Sequence, residues 1–310
     1  MSLFNAHALS LVKPVVHSSL MKAIPSLVDL AASCGWSHYG PSQWEFLINA
    51  GCDQGWLVRD DSDESVTLGC LLRSDFPDSK AVALGMMLVS PSARGMGLGK
   101  AMMKTAIDSA PEDHRATPIV LGMATEMGAP MYEKLGYVIK PKAAVTRMHV
   151  EKDVLQAAVA DSSVTIELLS DIVTIGELDF RVTGLDRSRA LRELFGTEGA
   201  KVALARDSTT GKVVGGAMSI LGLGGGTVVG PLHGELRSAL PLLGTVLDCS
   251  HGSGAMSLNA IGVKGDGGIV DALIAAGFEV DAELVSMTYE GHELPGEREL
   301  YLGLMHPTLG

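Results

Sequence analysis

Two segments of this chain show the same order of features, and this internal repeat constrains the fold more than any other property of the sequence. In the first segment, Pro91 follows an apolar run, and a helical pattern and a β-rich run lead to Gly136 and an aromatic residue. In the second, the same types of pattern lead from Pro231 to Gly277, which an aromatic residue also follows. The prolines precede the glycines by 45 and 46 positions. Such a repeat predicts two copies of one α/β module.

The length and the local patterns agree with two modules. A chain of 310 residues is long enough for two domains of typical size. We expect one domain over residues 1–150 and a second over residues 163–310. Ala81–Val89 is a nearly continuous apolar run, which is typical of a strand that is buried on both faces of a sheet. Pro25 marks the expected start of a helix. Strand and helix patterns alternate along both halves, which indicates the α/β fold class.

The composition excludes several classes of protein. Apolar residues make up 46% of the chain, which is enough for folded cores. The formal net charge is −12, and we expect no nucleic acid partner because nucleic acid binding needs a basic surface. The four cysteines form no CxxC pair and the nine histidines have no ligand spacing, so no metal site is expected. The sequence has no apolar run of the ~18 residues that a membrane helix needs and no leader, so we expect a cytoplasmic protein without a membrane partner.

A glycine-rich turn joins an apolar strand pattern to an amphipathic helical pattern. Gly95, Gly97 and Gly99 alternate there, so several backbone N–H groups can point into one concave space without a Cβ in the way. The helix that begins directly after the turn adds free N–H groups and the positive end of its dipole. Arg94 and Lys100 add positive charge in an acidic chain. This combination predicts a site for a pyrophosphate.

Two common nucleotide-binding motifs do not fit this turn. The Walker A loop requires Ser or Thr after Gly-Lys, and Ala101 stands there. The dinucleotide-binding fingerprint GxGxxG would need glycine at position 100, which is lysine. The turn therefore predicts a different type of pyrophosphate site.

The pattern from Arg94 to Gly99, Arg-x-x-Gly-x-Gly after a strand that ends in Val-x-Pro, resembles the acyl-CoA pyrophosphate loop of the GNAT superfamily of N-acetyltransferases. Met131–Tyr137 (MYEKLGY) resembles the second signature of that superfamily. Gly184–Ser188 and Gly230–Leu232 resemble a subgroup with an N-terminal GNAT domain and a divergent C-terminal GNAT-like domain. The resemblance implies tandem modules, each a mixed, splayed β-sheet with flanking helices.

The resemblance also implies a site for acetyl-CoA, used as a co-substrate. Tyr132 matches the tyrosine that commonly protonates the departing CoA thiolate, and core packing is its alternative role. The strand before the turn would pair with the pantetheine arm, and its N–H groups near Leu88 and Val89 would face the thioester carbonyl. The residues expected to bind acetyl-CoA are Met87, Leu88, Val89, Arg94, Gly95, Met96, Gly97, Leu98, Gly99, Lys100 and Thr125.

Two departures from the pattern of the superfamily bear on the chemistry. Many members have an asparagine seven residues before the tyrosine, where this chain has Thr125, so the contact with pantetheine must differ. Many members also place a general base on the strand that corresponds to Ala81–Val89, which contains no Asp or Glu here. Glu126 is near the cleft by position and is the candidate base, with a water relay as the alternative. A solvated surface carboxylate is the more common role for such a residue.

The second copy lacks the groups that the first would use. It has no alternating glycines after Pro231, and Leu273 stands where the first copy has Tyr132, so we expect it not to bind CoA. Its expected role is to line the acceptor cleft or to complete the sheet. Asp186 and Arg187 are candidate acceptor contacts, with helix capping as the alternative for Asp186.

The sequence thus favours an N-acetyltransferase that moves an acetyl group from acetyl-CoA to an amine by direct attack. Trp36 lies in the segment that covers the acceptor in many GNAT enzymes, with core packing as its alternative. A small amine, an amino acid, an aminoglycoside-like antibiotic and a protein amine remain open as acceptors, and the acidic charge leans toward a small cationic one. Transfer of another acyl group is open too, as is an acyl-CoA sensor without turnover. We expect a monomer or a homodimer.

Overall fold

The computed structural model describes residues 11–110, 119–158, 163–222, 226–248 and 254–310. Within these ranges the two halves have the same order of strands and helices, and the α/β fold class is confirmed. The first half contains β1 (Val12–Val16), α1 (His17–Ser33), α2 (Pro41–Ala50), β2 (Gln54–Arg59), β3 (Thr67–Phe76), β4 (Ala81–Val89), α3 (Leu98–Asp108), β5 (Ile119–Ala124), α4 (Ala129–Glu133), β6 (Tyr137–Ile139) and β7 (Val145–Glu151).

A short helix, α5 (Lys152–Ala158), leads into the second half. The second half contains β8 (Val164–Leu168), α6 (Val173–Thr183), α7 (Ser188–Phe195), β9 (Lys201–Asp207), β10 (Val213–Leu221), β11 (Thr227–Gly234), α8 (Leu236–Asp248), β12 (Ala255–Ile261), α9 (Ile269–Ala275), β13 (Glu279–Tyr289) and β14 (Tyr301–Gly303). This order repeats that of the first half element by element, so the internal repeat is a repeat of the fold.

The first helix begins earlier than the sequence suggested. Pro25 was expected in its first turn, but α1 begins at His17 and contains Pro25 in its interior. Leu20, Ile24 and Leu27 are buried, and the helix packs on β2 and β3, whereas Pro25 is exposed. The apolar face of the helix therefore continues across the position where proline removes a backbone hydrogen bond.

The described strands form one continuous sheet that runs through both halves. Its order is β1-β2-β3-β4-β5-β13-β7-β12-β14-β11-β10-β9-β8, and β6 pairs with β13. Within the described ranges, β4–β5 and β11–β12 are the two parallel pairs. These two pairs occupy equivalent places in the repeat.

The two halves exchange strands where they meet. β7, from the first half, pairs with β12 and with the beginning of β13. The end of β13, from the second half, lies between β5 and β6 and pairs with both. Each half thus completes the sheet of the other. The domain boundaries at 1–150 and 163–310 stay a prediction.

The halves also share a hydrophobic core. On one face of the sheet, α1 and α2 pack in the same cluster of buried residues as α6 and α7. Direct contacts between α2 and α7 join the two halves there. Each half has a further core of its own, which involves α3 in the first half and α8 and α9 in the second.

Three features bear on the classes of protein that composition excluded. Cys34, Cys52 and Cys70 are free thiols, whereas Cys249 lies outside the described residues. No group of three or more potential metal-ligating side chains occurs in the described part of the chain. None of the helices in these ranges is long and apolar enough to cross a membrane.

Candidate functional site

β4 and β5 separate from each other and leave a gap in the first half of the sheet. The two parallel strands pair only at Val82 with Ile119 and at Ala83 with Val120. Beyond these pairs, no other strand of the described ranges lies between them. Backbone groups that face this gap have no ladder partner, so an extended ligand can bind them as a strand would.

A β-bulge in β4 lies at this gap. Between two regular pairs with β3, Met86 and Met87 stand opposite a single residue. Met86 has a φ of +52°, in the left-handed region that residues with a side chain rarely adopt. Leu84 packs in the core with α3, whereas Met86 packs in the shared core, so the extra residue changes the face on which alternate side chains lie. A bulge leaves a residue unpaired. The bulge therefore lies just before the Leu88 and Val89 named from sequence, and the carbonyl oxygen of Met86 accepts a hydrogen bond from the Cys70 thiol at 3.1 Å.

The glycine-rich turn follows β4 and ends at the start of α3. Gly95 and Gly97 both have a φ of +81°, and Gly97 is the N-cap of α3. The N–H groups of residues 95–100 have no acceptor among the described residues. A Cβ on Gly95 would meet nothing within 4 Å, so the turn is open on that side. These N–H groups fit a pyrophosphate, because a nest of donors at a helix N-terminus favours anions.

Two side chains at the rim of the turn add positive charge beside its N–H groups. Arg94 and Lys100 are exposed, and neither forms an ion pair with a carboxylate in the described ranges. Arg94 Nε donates to the carbonyl oxygen of Val89 at 3.3 Å. Met96 is exposed, whereas the side chain of Leu98 is buried, so Leu98 can contact a ligand only through its backbone.

The turn meets β4 and α4 at Gly99. A Cβ there would lie 3.4 Å from the sulfur of Met87 and 3.5 Å from that of Met131. The close approach of α3 to these two side chains explains why a residue without a side chain stands at this position. The structure thus brings together the strand, the turn and the second signature, which are separate in sequence.

Tyr132 lies on α4 next to this junction. Its side chain is buried, and its ring is edge-on to that of Tyr137, with 6.1 Å between the ring centroids. The Tyr132 hydroxyl has no hydrogen-bond partner in the described part of the structure. Burial raises the pKa of Tyr132 to about 12. The phenol is therefore protonated at neutral pH and can donate a hydrogen bond to a ligand.

Thr125 and Glu126 follow directly after β5 and are both exposed. The Thr125 hydroxyl accepts the N–H of Gly128 at 3.2 Å, which fixes the turn into α4. Its own proton remains free to donate to a ligand. Glu126 has no hydrogen bond or ion pair with any described residue, so its surroundings are those of a solvated carboxylate.

The corresponding gap in the second half is filled by a strand. β11 and β12 pair in parallel over Thr227–Val229 and then separate. β14 enters the gap, where Gly303 pairs with Leu232 of β11 and with Ala260 of β12. An extended ligand has no open position between these strands. This arrangement supports the prediction that the second half does not bind CoA.

Pro231 is not the structural counterpart of Pro91, although the internal repeat in the sequence places the two prolines at equivalent positions. Pro91 follows the end of β4, whereas Pro231 lies within β11. Glu235 alone separates β11 from α8, so the second copy lacks the whole turn and not only its glycines. At the end of the repeat, the positions that were matched in sequence are also equivalent in the structure. Leu273 lies on α9 as Tyr132 lies on α4, and each short helix is followed by a glycine with positive φ.

The three candidate acceptor contacts lie in different surroundings. Trp36 is half-buried after α1, and its ring centroid is 5.6 Å from that of Tyr39. Asp186 is exposed and accepts the N–H of Ser188, the first residue of α7, at 3.0 Å. Arg187 is 2% exposed, which leaves almost no surface for a substrate. A role in acceptor binding stays a prediction for all three.

Arg187 belongs to a buried hydrogen-bond network that no sequence motif indicated. It donates to both carboxylate oxygens of Asp179, to the Tyr301 hydroxyl at 2.7 Å and to the backbone oxygen of Gly310. His233 Nε2 lies 2.8 Å from the same carboxylate. Burial opposes the charge of Asp179, but the Arg187 charge and these hydrogen bonds outweigh it and hold the pKa of Asp179 well below its usual value. The network therefore ties α6 and β11 to the last residues of the chain.

Those last residues lie across the gap between β4 and β5. A Cβ on Gly85 of β4 would be 2.3 Å from Thr308 Oγ1, and one on Gly122 of β5 would be 2.8 Å from the carbonyl oxygen of Pro307. Both glycines allow this close approach. No motif in the sequence marked Pro307 or Thr308, because their contacts join residues that are far apart along the chain.

His306 holds this segment to the first half. Its Nδ1 accepts the N–H of Thr308 at 3.2 Å, and its Nε2 is 3.1 Å from the Tyr39 hydroxyl. Burial lowers the pKa of His306 to about 3. The ring is therefore neutral at physiological pH, and since Nδ1 is an acceptor, the proton is on Nε2 and points to Tyr39.

A family model matches part of the chain. The Acetyltransferase (GNAT) family model matches residues 24–137, a range that contains β4, the glycine-rich turn, α3 and Tyr132. No curated protein sequence matches the chain. The family match thus covers the first copy of the repeat, where the predicted motifs lie.

Solved structures match nearly the whole chain. A candidate acetyltransferase from Pyrococcus horikoshii is 15% identical, with a TM-score of 0.71 over 96% of this chain and 95% of its own. A tandem GNAT protein from the clavulanic acid biosynthesis pathway is 19% identical, with a TM-score of 0.62 over 91% of this chain and 98% of its own. A GCN5-related N-acetyltransferase from Sphaerobacter thermophilus is 17% identical, with a TM-score of 0.56 over 92% of this chain and 96% of its own. At these identities the likeness is one of fold.

Proposed function

We propose that this chain, whose residues 24–137 match the Acetyltransferase (GNAT) family and whose fold is similar to that of a tandem GNAT protein, is an N-acetyltransferase that uses acetyl-CoA and an amine. The observation that carries the proposal is the gap between β4 and β5, which is open in the first half and filled by β14 in the second. The bulge at Met86 and Met87 lies at this gap, and the glycine-rich turn follows the same strand. One binding site per chain follows from this difference.

The turn supplies the groups that a pyrophosphate needs. The N–H groups of residues 95–100 would bind phosphate oxygens, with Arg94 and Lys100 at the rim. The exposed Thr125 hydroxyl, which keeps a free proton, is a donor for a pantetheine amide. Because the free backbone of β4 can pair with amides of the same arm, binding requires no rearrangement of the sheet.

The residues at the gap fit direct transfer. The amine nitrogen forms a bond to the thioester carbonyl carbon, the carbon–sulfur bond breaks, and the thiolate leaves. A backbone N–H group that the bulge at Met86 and Met87 turns toward the gap would stabilise the negative charge that develops on the carbonyl oxygen. Tyr132 would donate a hydrogen bond to the leaving sulfur, since burial keeps its phenol protonated.

The proton that the amine loses has no dedicated acceptor on β4. The strand has no carboxylate, and His306 is not free to accept, because its Nδ1 already binds the N–H of Thr308. Glu126 is exposed close to the end of β5, so water at the cleft would carry the proton to it or to bulk solvent. A substrate with a free, unprotonated amine would react fastest.

Calorimetric titration of acetyl-CoA into the wild-type protein and into Gly95→Glu tests the site. We expect one site per chain for the wild type, and at least a hundredfold weaker binding for the variant, since a carboxylate would stand in the phosphate nest. Gly211→Glu is the matched control, because Gly211 also has a positive φ and open space within 4 Å. Two sites per chain, or equal affinities of the three proteins, would show that the site assignment is wrong.

An acyl-CoA sensor without turnover is the second candidate function. The absence of a carboxylate from β4 favours it. A screen of amines for CoA release separates the two, because an enzyme releases CoA in proportion to an amine that it acetylates. Binding of acetyl-CoA without release by any amine of the screen would favour the sensor.

A further inference from the structure

A cavity of about 790 Å³ lies where the two halves meet. It is bordered by Gly122 of β5, by Ser286 of β13 and by residues between β13 and the end of the chain. Its lining residues Tyr301 and Leu304 belong to the shared core, as does Met86 at the bulge. The cavity therefore lies on the face of the sheet opposite α3, and it reaches β5 along the strand that borders the gap. Its volume is in the roughly 300–1,000 Å³ range of small-molecule sites.

Arg298 brings an unpaired positive charge to this cavity. Its guanidinium is mostly buried and donates to two backbone carbonyls, that of Pro295 at 2.7 Å and that of Thr183 at 2.9 Å. No carboxylate of the described residues forms an ion pair with it. Burial is the main cause that lowers the pKa of Arg298 to about 10, with a smaller contribution from the charge of Arg187, against opposing effects of Tyr301 and Asp179. A buried cation with only neutral partners is costly, and an anion in the cavity would offset that cost.

Ser286 provides a second, independent polar group. The residue is 5% exposed and lines the cavity, and its hydroxyl has no hydrogen-bond partner among the residues that the structure describes. A guanidinium and a hydroxyl that face the same space are the donors that a carboxylate binds best. The surrounding lining is largely apolar, which strengthens such contacts.

The same cavity carries negative charge elsewhere on its lining. Glu299 lies there and has no cationic partner in the described ranges. Lys140 is neutralised, because its Nζ donates to Glu293 at 2.7 Å and to the carbonyl oxygen of Gly291 at 2.6 Å. The cavity thus has an unpaired positive charge at Arg298, and the negative charge of Glu299 lies on an exposed side chain.

We propose that this cavity holds the acceptor and that Arg298 and Ser286 bind its carboxylate, so that the acceptor is an amino acid or another small amine with a carboxylate. This inference rests on the proposed function. The amine end would point toward Gly122, where β5 borders the gap, and the carboxylate end away from it. Acceptors without a carboxylate would leave the guanidinium buried and unpaired.

The test uses the twenty common L-amino acids and the amines that lack their α-carboxylate, with acetyl-CoA, and measures CoA release. For wild-type protein we expect at least one amino acid to have a KM at least tenfold below that of its matched amine. Arg298→Met should remove this preference, and Arg298→Lys should restore part of it, since lysine keeps the charge but not the planar fork. Ser286→Ala should raise the KM of the amino acid severalfold without changing that of the amine. Arg181→Gln is the control, because Arg181 is an exposed arginine outside the cavity that pairs with Glu297 at 3.6 Å.

A second variant and separate binding titrations distinguish a failure of the cavity site from a failure of the proposed function. Arg298 holds the backbone of Thr183 and Pro295, so Ser286→Met, which fills the cavity and leaves the arginine in place, is the second variant. Titration of the amino acids alone, and of acetyl-CoA alone, is done on each variant. Amino acid binding that Arg298→Met and Ser286→Met abolish supports the cavity site even if acetyl-CoA does not bind, in which case only the proposed function fails. Wild-type preference for amines without a carboxylate, or no binding of any amino acid, would overturn the inference.

Discussion

Asp179→Asn should lower the free energy of unfolding far more than a substitution that removes one charge from the surface. Asp179 is 1% exposed and is the only carboxylate that pairs with the buried Arg187 in the described structure. The substitution conserves volume but leaves the guanidinium without a counter-charge. Removing one partner of a buried ion pair costs ~3–5 kcal/mol. Asparagine can still accept one hydrogen bond, so we expect a loss of about 3 kcal/mol, or a fall in Tm of about 5 °C for a chain of this size.

Urea denaturation followed by tryptophan fluorescence measures this loss. Glu167→Gln is the control, because it breaks an exposed pair with Arg206 at 2.8 Å and should cost under ~1 kcal/mol. The folded-state pKa of Asp179 is held below its unfolded value, so its stabilisation is present above pH ~4 and is lost as the pH falls through the folded pKa. The difference between wild type and Asp179→Asn should therefore shrink at pH 3. Equal effects of Asp179→Asn and Glu167→Gln at pH 7 would refute the argument.

Two further predictions concern Tyr132 and His306. Tyr132→Phe should lower kcat at least tenfold and leave the Kd for acetyl-CoA unchanged, as steady-state kinetics and calorimetry can show; an unchanged kcat would remove Tyr132 from the chemistry. Burial lowers the pKa of His306 from 6.5 to about 3, so the unfolded chain binds the proton first and stability falls as the pH falls below 6.5. Between pH 7 and pH 5 the wild type should lose about 2 kcal/mol more than His306→Asn in urea denaturation, and equal losses would contradict this.

The elements that carry the candidate site could be predicted because their signals are local. The apolar run Ala81–Val89 is β4 with the same bounds, since a strand that is buried on both faces needs no partner information to be recognised. The turn at Gly95–Gly99 and the signature at Tyr132 belong to one strand–helix–strand–helix unit. Their meeting at Met87 and Met131 follows from the short path of the chain between them.

The strand exchange could not be predicted in this way. β7 and β13 have ordinary strand patterns, and nothing in their side chains specifies which half supplies the neighbouring strand. Partner choice is decided by the whole arrangement of the sheet rather than by local sequence. The same reason applies to the cavity, whose lining joins Gly122 of the first half to Ser286 and Arg298 of the second. The alignment of Pro231 with Pro91 failed because Pro231 lies inside β11 whereas Pro91 follows β4. The turn that is missing after β11 is offset by longer helices, since α8 has 13 residues against 11 in α3 and α9 has 7 against 5 in α4.

The filled gap of the second half, and the segment at Pro307 and Thr308 that packs on Gly85 and Gly122 beside the open gap of the first, follow from the same path of the chain. β14 pairs with β11 and β12 and closes the space between them, and Tyr301 at its start is held by Arg187. The chain then leaves β14 past Gly230, where a Cβ would lie 2.3 Å from the carbonyl oxygen of Leu304. It continues directly to Gly122 and Gly85 at the gap of the first half. The strand that fills the gap of one half thus also positions the segment that packs beside the gap of the other.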